Sequence, residues 1–135
     1  MSLGLYLHIP YCFSKCRYCD FYSHPGERGV PEAYVDALVR ELSRFAPEAP
    51  LQPDTLYFGG GTPSLLRPEQ AKRLIDAARP MPGAEITLEA NPETVTEESL
   101  AGFREAGVNR ISFGVQSARD TQLRTLGRPH TAKQA

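Results

Sequence analysis

Apolar and polar positions change period several times along the chain, and each change marks an element. Leu3-Gly4-Leu5-Tyr6-Leu7-His8-Ile9 alternates as a strand with two unlike faces does, and Pro10 stops it. From Glu32 to Phe45 the residues Tyr34, Leu38, Leu42 and Phe45 recur at helical spacing, with Pro31 near the first turn. Thr55-Leu56-Tyr57-Phe58 predicts a second strand that runs into Gly59-Gly60-Gly61. Pro68 to Ala78 predicts a second helix with Ala71, Leu74, Ile75 and Ala78 on one side. Glu85 to Ala90 reads as a third strand broken by Asn91-Pro92. Thr96 suits an N-cap for a helix over Ser99 to Ala106, and Gly107 marks its end. Arg110 to Val115 predicts a fourth strand, and Arg119 to Leu126 the start of a fourth helix.

Strands separated by helices of this length imply βαβ units, a parallel sheet and an α/β fold. The polar and glycine-rich clusters fall after strands: the cysteines after the first, glycines after the second, Glu89-Ala90-Asn91-Pro92 at the end of the third, Gln116-Ser117 after the fourth. In parallel α/β folds the C-terminal strand ends face the ligand, so these four clusters are expected on one face. Four units are too few for a closed eight-fold barrel, which needs about 250 residues. The last residues, Thr131 to Ala135, carry no stop signal. The expectation is the N-terminal portion of a longer protein, with a sheet edge left open after the fourth strand.

Composition narrows the class. The chain has 135 residues, 41% hydrophobic and 23% charged, enough apolar material for a core. A net charge of -1 gives no support to a nucleic-acid-binding surface. No apolar run is long enough for a transmembrane segment. The start, MSLGLYLHIP, lacks the basic region and cleavage site of a signal peptide. The expected compartment is therefore the reducing cytoplasm, where an odd set of three cysteines is a poor disulfide framework.

Those cysteines stand together in Cys12-Phe13-Ser14-Lys15-Cys16-Arg17-Tyr18-Cys19. Three thiolates at this spacing can close on one metal centre and leave one coordination position free. Thiolates suit zinc and iron–sulfur clusters alike. His8 or His24 would complete a zinc site of three cysteines and one histidine, in a zinc-stabilised interaction module. Lys15 and Arg17 make the run too polar for core, and beside thiolates they would soften a cluster's negative charge.

C-x3-C-x-Tyr-C after a first strand resembles the signature of the radical S-adenosylmethionine superfamily. The motifs Tyr6-Leu7-His8-Ile9-Pro10-Tyr11-Cys12, Tyr57-Phe58-Gly59-Gly60-Gly61-Thr62-Pro63-Ser64, Glu89-Ala90-Asn91-Pro92, Ser112-Phe113-Gly114-Val115-Gln116-Ser117 and Leu126-Gly127-Arg128-Pro129-His130 resemble one branch of it. That branch holds the oxygen-independent coproporphyrinogen III oxidases and the related haem chaperones. The resemblance implies a partial (β/α)6 barrel, of which residues 1–135 would be the incomplete N-terminal core, without the later strands and a C-terminal domain. It also implies a [4Fe-4S] cluster whose open iron is chelated by S-adenosylmethionine, and one-electron cleavage of the sulfonium to a 5′-deoxyadenosyl radical.

Carried over by residue, Cys12, Cys16 and Cys19 resemble the cluster ligands. Tyr6 and Tyr18 resemble residues lining S-adenosylmethionine, with Tyr18 on the adenine side. Gly60, Gly61 and Thr62 match a glycine loop that meets the methionine amino group through its backbone. Read without the resemblance, Gly59 to Gly61 is a flexible turn and Glu89 a solvated carboxylate. With it, Glu89, Gln116 and Arg128 become cofactor contacts, although Arg128 also suits a surface helix end. His8 reads equally as a satisfied core histidine or a substrate-side group, and His130 has no assigned role. No catalytic residue is assigned.

The sequence departs from the oxidases at Phe21, where they carry another cysteine, and in starting only a short way before Cys12. Cys19-Asp20-Phe21-Tyr22-Ser23 is more similar to the chaperones. The resemblance thus implies either a haem chaperone that binds haem and delivers it to acceptor proteins, or an enzyme that decarboxylates a porphyrinogen. Either would have a reductant protein as partner. The first is favoured on Phe21 and the short N-terminus.

Overall fold

The structure, a computed structural model, describes residues 2–12, 24–25, 29–45, 51–115, 119–126 and 133. Four parallel strands form its main sheet in the order β1, β4, β5, β6. They are β1 (Gly4–Ile9), β4 (Thr55–Gly60), β5 (Glu85–Ala90) and β6 (Arg110–Phe113). Between them run α1 (Glu32–Ser43), α2 (Pro68–Ala78) and α3 (Glu97–Ala106), and α4 (Asp120–Thr125) follows β6. A second, two-stranded ladder pairs β2 (Tyr11–Cys12) with β3 (His24–Pro25). This is the α/β alternation the hydrophobic pattern predicts.

Strand pleating divides the main sheet into two unlike faces. On one, Leu7 and Ile9 of β1, Leu56 and Phe58 of β4 and Ile86 and Leu88 of β5 are buried. They meet Val35 and Leu42 of α1, Ala71, Leu74, Ile75 and Ala78 of α2, and Phe103 and Ala106 of α3. Each fully buried Leu, Ile or Phe is worth about 1.5–3 kcal/mol, so this layer is the main stabilising term. The other face carries Tyr6, His8, Tyr57, Gly59, Thr87, Glu89, Arg110 and Ser112. The register aligns Tyr6 with Tyr57, Tyr57 with Thr87 and Thr87 with Arg110.

Several boundaries move from the sequence expectation for identifiable reasons. Gly59 and Gly60 are the last two residues of β4, paired with His8 and Ile9, so the glycine run is mostly strand. α1 ends at Ser43, which leaves Phe45 50% exposed; Val35 and Leu42 are its buried anchors, with Tyr34 and Leu38 half-buried. α3 starts at Glu97 because Thr96 caps it: Thr96 Oγ1 accepts from Ser99 N–H at 3.1 Å, and Ser99 Oγ accepts from Thr96 N–H at 2.9 Å. Gly107 ends that helix as expected. β6 stops at Phe113 and α4 spans Asp120–Thr125. Short 3-10 turns at Pro63–Leu65 and Pro92–Thr94 follow β4 and β5.

One side chain extends the sheet beyond its backbone ladder. Asn109 Nδ2 donates to Ala84 O at 2.9 Å, and its Oδ1 accepts from Ile86 N–H at 2.8 Å. Its own N–H donates to Ile86 O at 3.0 Å. The amide therefore acts as an extra rung where β5 begins and β6 has not yet started. Asn109→Ala strands two backbone groups beside the buried Ala84. The expected loss is about 1–3 kcal/mol in urea unfolding, with the denaturant slope unchanged.

Candidate functional site

The C-terminal ends of β1, β4 and β5 meet at one edge of the molecule. Ile9 leads through Pro10 to Tyr11 and Cys12, and Gly60 leads to Gly61 and Thr62. Ala90 leads to Asn91. Two backbone bonds tie the first two exits together: Gly61 N–H donates to Ile9 O at 2.8 Å and Thr62 N–H to Tyr11 O at 2.7 Å. The residue before Cys12 is thereby held against the residue that follows the glycine strip.

Glycine is required in that strip by what packs against it. A Cβ on Gly59 would lie 2.6 Å from Glu89 Oε1 and 2.7 Å from a Tyr6 ring carbon. Gly60 has φ 113°, a conformation that side-chain-bearing residues rarely adopt, and a Cβ there would reach His8 Nδ1 at 2.6 Å. The strip is thus filled by the protein's own Tyr6, His8 and Glu89, which lie together because no side chain separates them. Gly60 N–H donates to Glu89 Oε1 at 3.2 Å. With the N–H groups of 60, 61 and 62 so engaged, a ligand's ammonium would be received by backbone carbonyls and the Glu89 carboxylate, since an ammonium only donates.

The tyrosines beside Glu89 form a connected group. Tyr6, 52% exposed, stacks on Tyr57 with ring centroids 6.0 Å apart and planes 15° from parallel. Its hydroxyl lies 3.1 Å from His8 Nδ1. Burial, then the Glu89 charge, then Tyr57 push the Tyr6 phenol above its usual value of 10.0. Tyr57 is raised from the same value by burial first and Glu89 second, against a lowering hydrogen bond from Ser112. Phenols next to a carboxylate resist ionisation because two negative charges would meet in partly desolvated surroundings. His8 is a partly exposed member of this polar face, which sets aside its reading as a core histidine.

Behind the strip lies a buried polar brace. Thr62 is 3% exposed, and its Oγ1 accepts from Asn91 Nδ2 at 3.0 Å. Thr94 Oγ1 donates to Asn91 O at 2.8 Å and forms a short hydrogen bond with Ser64 Oγ. The Thr62 hydroxyl therefore joins the exit of β4 to the exit of β5.

Of the expected site residues, the structure brings together Tyr6, Gly60, Gly61, Thr62 and Glu89, with the Cys12 backbone beside them. Cys16, Cys19, Tyr18, Gln116 and Arg128 lie outside the described residues, as do Phe21 and His130. Among the described residues no three His, Cys, Asp or Glu side chains gather to hold a metal. Sequence reasoning gave no role to Tyr57, Asn91 or Tyr34. Strand parity could have found Tyr57, two positions before Gly59 and level with Tyr6. Asn91 was legible as a strand breaker and as part of the Glu89-Ala90-Asn91-Pro92 motif but not as the partner of Thr62, and the Tyr34 hydroxyl depends on a tertiary contact.

The comparisons with known proteins bear on the same residues. The Radical SAM superfamily model matches residues 6–135. The haem chaperone HemW of Escherichia coli (strain K12) is 45% identical over 98% of this chain and 37% of its own length. The mitochondrial radical S-adenosyl methionine domain-containing protein 1 of Bos taurus is 42% identical over 98% of this chain and 31% of its own length. Among solved structures, coproporphyrinogen III oxidase (HemN) from Escherichia coli, a radical SAM enzyme, superposes with a TM-score of 0.85. It is 31% identical over 98% of this chain and 32% of that chain. The chain thus spans about a third of the length of these relatives. With a family match that runs from the first strand through the three cysteines, the glycine strip and Glu89 to the last residue, the chain belongs to the radical SAM superfamily.

Proposed function

We propose that this chain is the N-terminal part of the radical SAM core of a haem chaperone. In this reading Cys12, Cys16 and Cys19 hold a [4Fe-4S] cluster. Tyr6, Tyr18, Gly60, Gly61, Thr62, Glu89, Gln116 and Arg128 serve S-adenosylmethionine. The superfamily implies both cofactors; haem, acceptor proteins, a reductant protein and a cytoplasmic location belong to the proposal. Among the described residues no helix is long and apolar enough to cross a membrane.

The donor chemistry fits. Three thiolates on one short run suit an iron–sulfur cluster with an open position. The observation that carries the cofactor reading is the 3.2 Å bond from Gly60 N–H to Glu89 Oε1. It brings the end of the glycine strip and a carboxylate together at the strand ends from which the cysteine run leaves. The chemistry that cluster and S-adenosylmethionine supply together is one-electron reductive cleavage of a sulfonium. The chain's own residues orient and protect. Glu89, held on one oxygen, accepts from ammonium or hydroxyl groups of the cofactor. Tyr6 and Tyr57, kept protonated, offer a neutral aromatic face instead of a charge that would repel carboxylates.

The chaperone reading is supported by the 45% identity to a protein of that name and by Phe21 where the oxidases carry cysteine. The alternative, radical decarboxylation of coproporphyrinogen III, is supported by the structural likeness to HemN. A zinc-stabilised module accounts for neither the glycine strip nor Glu89.

Three measurements test this. Reconstituted anaerobically and offered haem and coproporphyrinogen III separately, the full-length protein is expected to retain haem and make no decarboxylated product. Product without stable haem binding would sink the chaperone reading, and absence of an iron charge-transfer band would sink both. Cys16→Ala is expected to lose iron and sulfide together, because two thiolates cannot hold three corners of a cube; full retention would refute the ligand set. In an alkaline titration followed at the phenolate band, Tyr6, Tyr34 and Tyr57, each assigned by its Tyr→Phe variant, are expected to ionise above 10.0. Since their folded values are raised, the stability they contribute is complete below pH 10 and falls as pH rises through the folded values. Unfolding in urea should return all three to near 10.

A further inference from the structure

The cysteine run leaves the sheet through residues 9–12 and the chain is described again at 24–25 and from 29. Both limbs are gripped by residues outside the cofactor set. Just before the outgoing limb, at the end of β1, Tyr34 Oη of α1 donates to His8 O at 2.5 Å, and on the limb itself the Tyr34 ring meets Tyr11 edge-on at 5.4 Å and 78°. Between the limbs, Tyr11 pairs with His24 and Cys12 with Pro25. On the returning limb, Gln70 Nε2 of α2 donates to Val30 O at 3.0 Å and to Glu32 Oε1 at 2.9 Å.

Gln70 is an uncommon choice for its place. It is 2% exposed, among the buried residues of α2 with Ala71, Leu74, Ile75 and Ala78. A buried amide costs free energy unless it is hydrogen-bonded, and an aliphatic residue would pack there without that cost. Its bonds all go to the entry of α2 or to the returning limb: Oε1 accepts from Arg67 N–H at 2.8 Å, and Nε2 reaches Val30 and Glu32. Glu32 also pairs with Arg67 and, at 2.9 Å, with Arg73, which reaches Asp36 at 2.7 Å. The ion pairs are exposed and individually weak, but they keep α1 and α2 in step around the buried amide.

We infer that Tyr34 and Gln70 are positioning residues: they clasp the backbone on either side of the cysteine run, at His8 and Tyr11 before it and at Val30 after it, and so set where the Cys12 backbone stands relative to the glycine strip and Glu89. Fixing both ends removes much of the closure entropy the loop would otherwise lose on binding a cluster, and sets where Cys12 stands relative to Gly61. The inference rests on the proposed cluster site and adds the means by which the fold aims it.

Tyr34→Phe and Gln70→Met in the full-length protein test it, each removing donors at nearly constant shape. In the metal-free protein, amide hydrogen exchange at residues 9–12 and 29–32 should quicken about tenfold in each variant, while α3 and β5 keep their wild-type protection. After reconstitution, each should carry wild-type iron and sulfide. The change that S-adenosylmethionine makes in the electron paramagnetic resonance of the reduced cluster should need roughly threefold to tenfold more of the cofactor. Wild-type titrations in both variants overturn the clasp, whether or not exchange quickens. Loss of protection in α3 and β5 as well makes these residues general core support and also overturns it. A wild-type protein that assembles no cluster overturns the site assignment, and the clasp with it, a result separable from the others because it appears without any substitution.

Discussion

The parity of a parallel sheet decides where everything else in this molecule goes. Successive residues of a strand must face opposite ways, so β1, β4 and β5 can each bury one set of side chains only by offering the other set to the opposite face. Leu7, Phe58 and Leu88 form one row against the helices, and moving any strand by one residue would put Tyr6, Tyr57 and Thr87 there instead. The apolar rows therefore lock the register. The locked register in turn places His8 beside Gly59, with Glu89 packed against Gly59 and bonded to Gly60 N–H. The candidate site is a consequence of core packing before it is anything else.

What the sequence made legible follows from the same physics. Period-two alternation and its punctuation located the four main strands, because alternation is a local property that tertiary contacts seldom overturn. Pro68 to Ala78 and Glu85 to Ala90 were readable to the residue, and so was the Thr96 cap, because a hydroxyl at the N-cap and a glycine after the last turn act on the backbone beside them. The glycine strip was less legible. Glycine predicts a turn when only neighbours in sequence are considered. At 59 and 60 it serves side chains of β1 and β5 that approach from either side, so β4 continues through it. The β2–β3 ladder escaped for a similar reason: its two-residue strands carry no period, and their pairing depends on where the chain returns.

The site residues divide along the same line. Glu89 was visible as the polar end of an alternating strand. Nothing local in the sequence says that one oxygen will be held by Gly60 N–H or that Tyr57 will share the carboxylate's surroundings. Thr62 shows the limit of carrying a role across by motif alone. Its N–H donates to Tyr11 O and its hydroxyl oxygen accepts from Asn91 Nδ2, so both groups already have partners within the protein. Asn91 closes the brace with Thr94 and Ser64, which makes the ends of β4 and β5 a single rigid unit.

That rigidity bears on how one core can serve two kinds of chemistry. The described polar face is assembled from strand residues whose neighbours along each strand are packed against the helical layer behind it. A difference in function must enter through the loops at the strand ends, where substitution is structurally cheap. Phe21, two residues after Cys19 in the sequence, illustrates the point. A cysteine at that place would bring a fourth thiol within two residues of Cys19, able to coordinate, to donate a hydrogen or to be oxidised, whereas a phenyl ring does none of these and offers only apolar surface. The substitution subtracts reactivity while leaving Cys12, Cys16 and Cys19 in place.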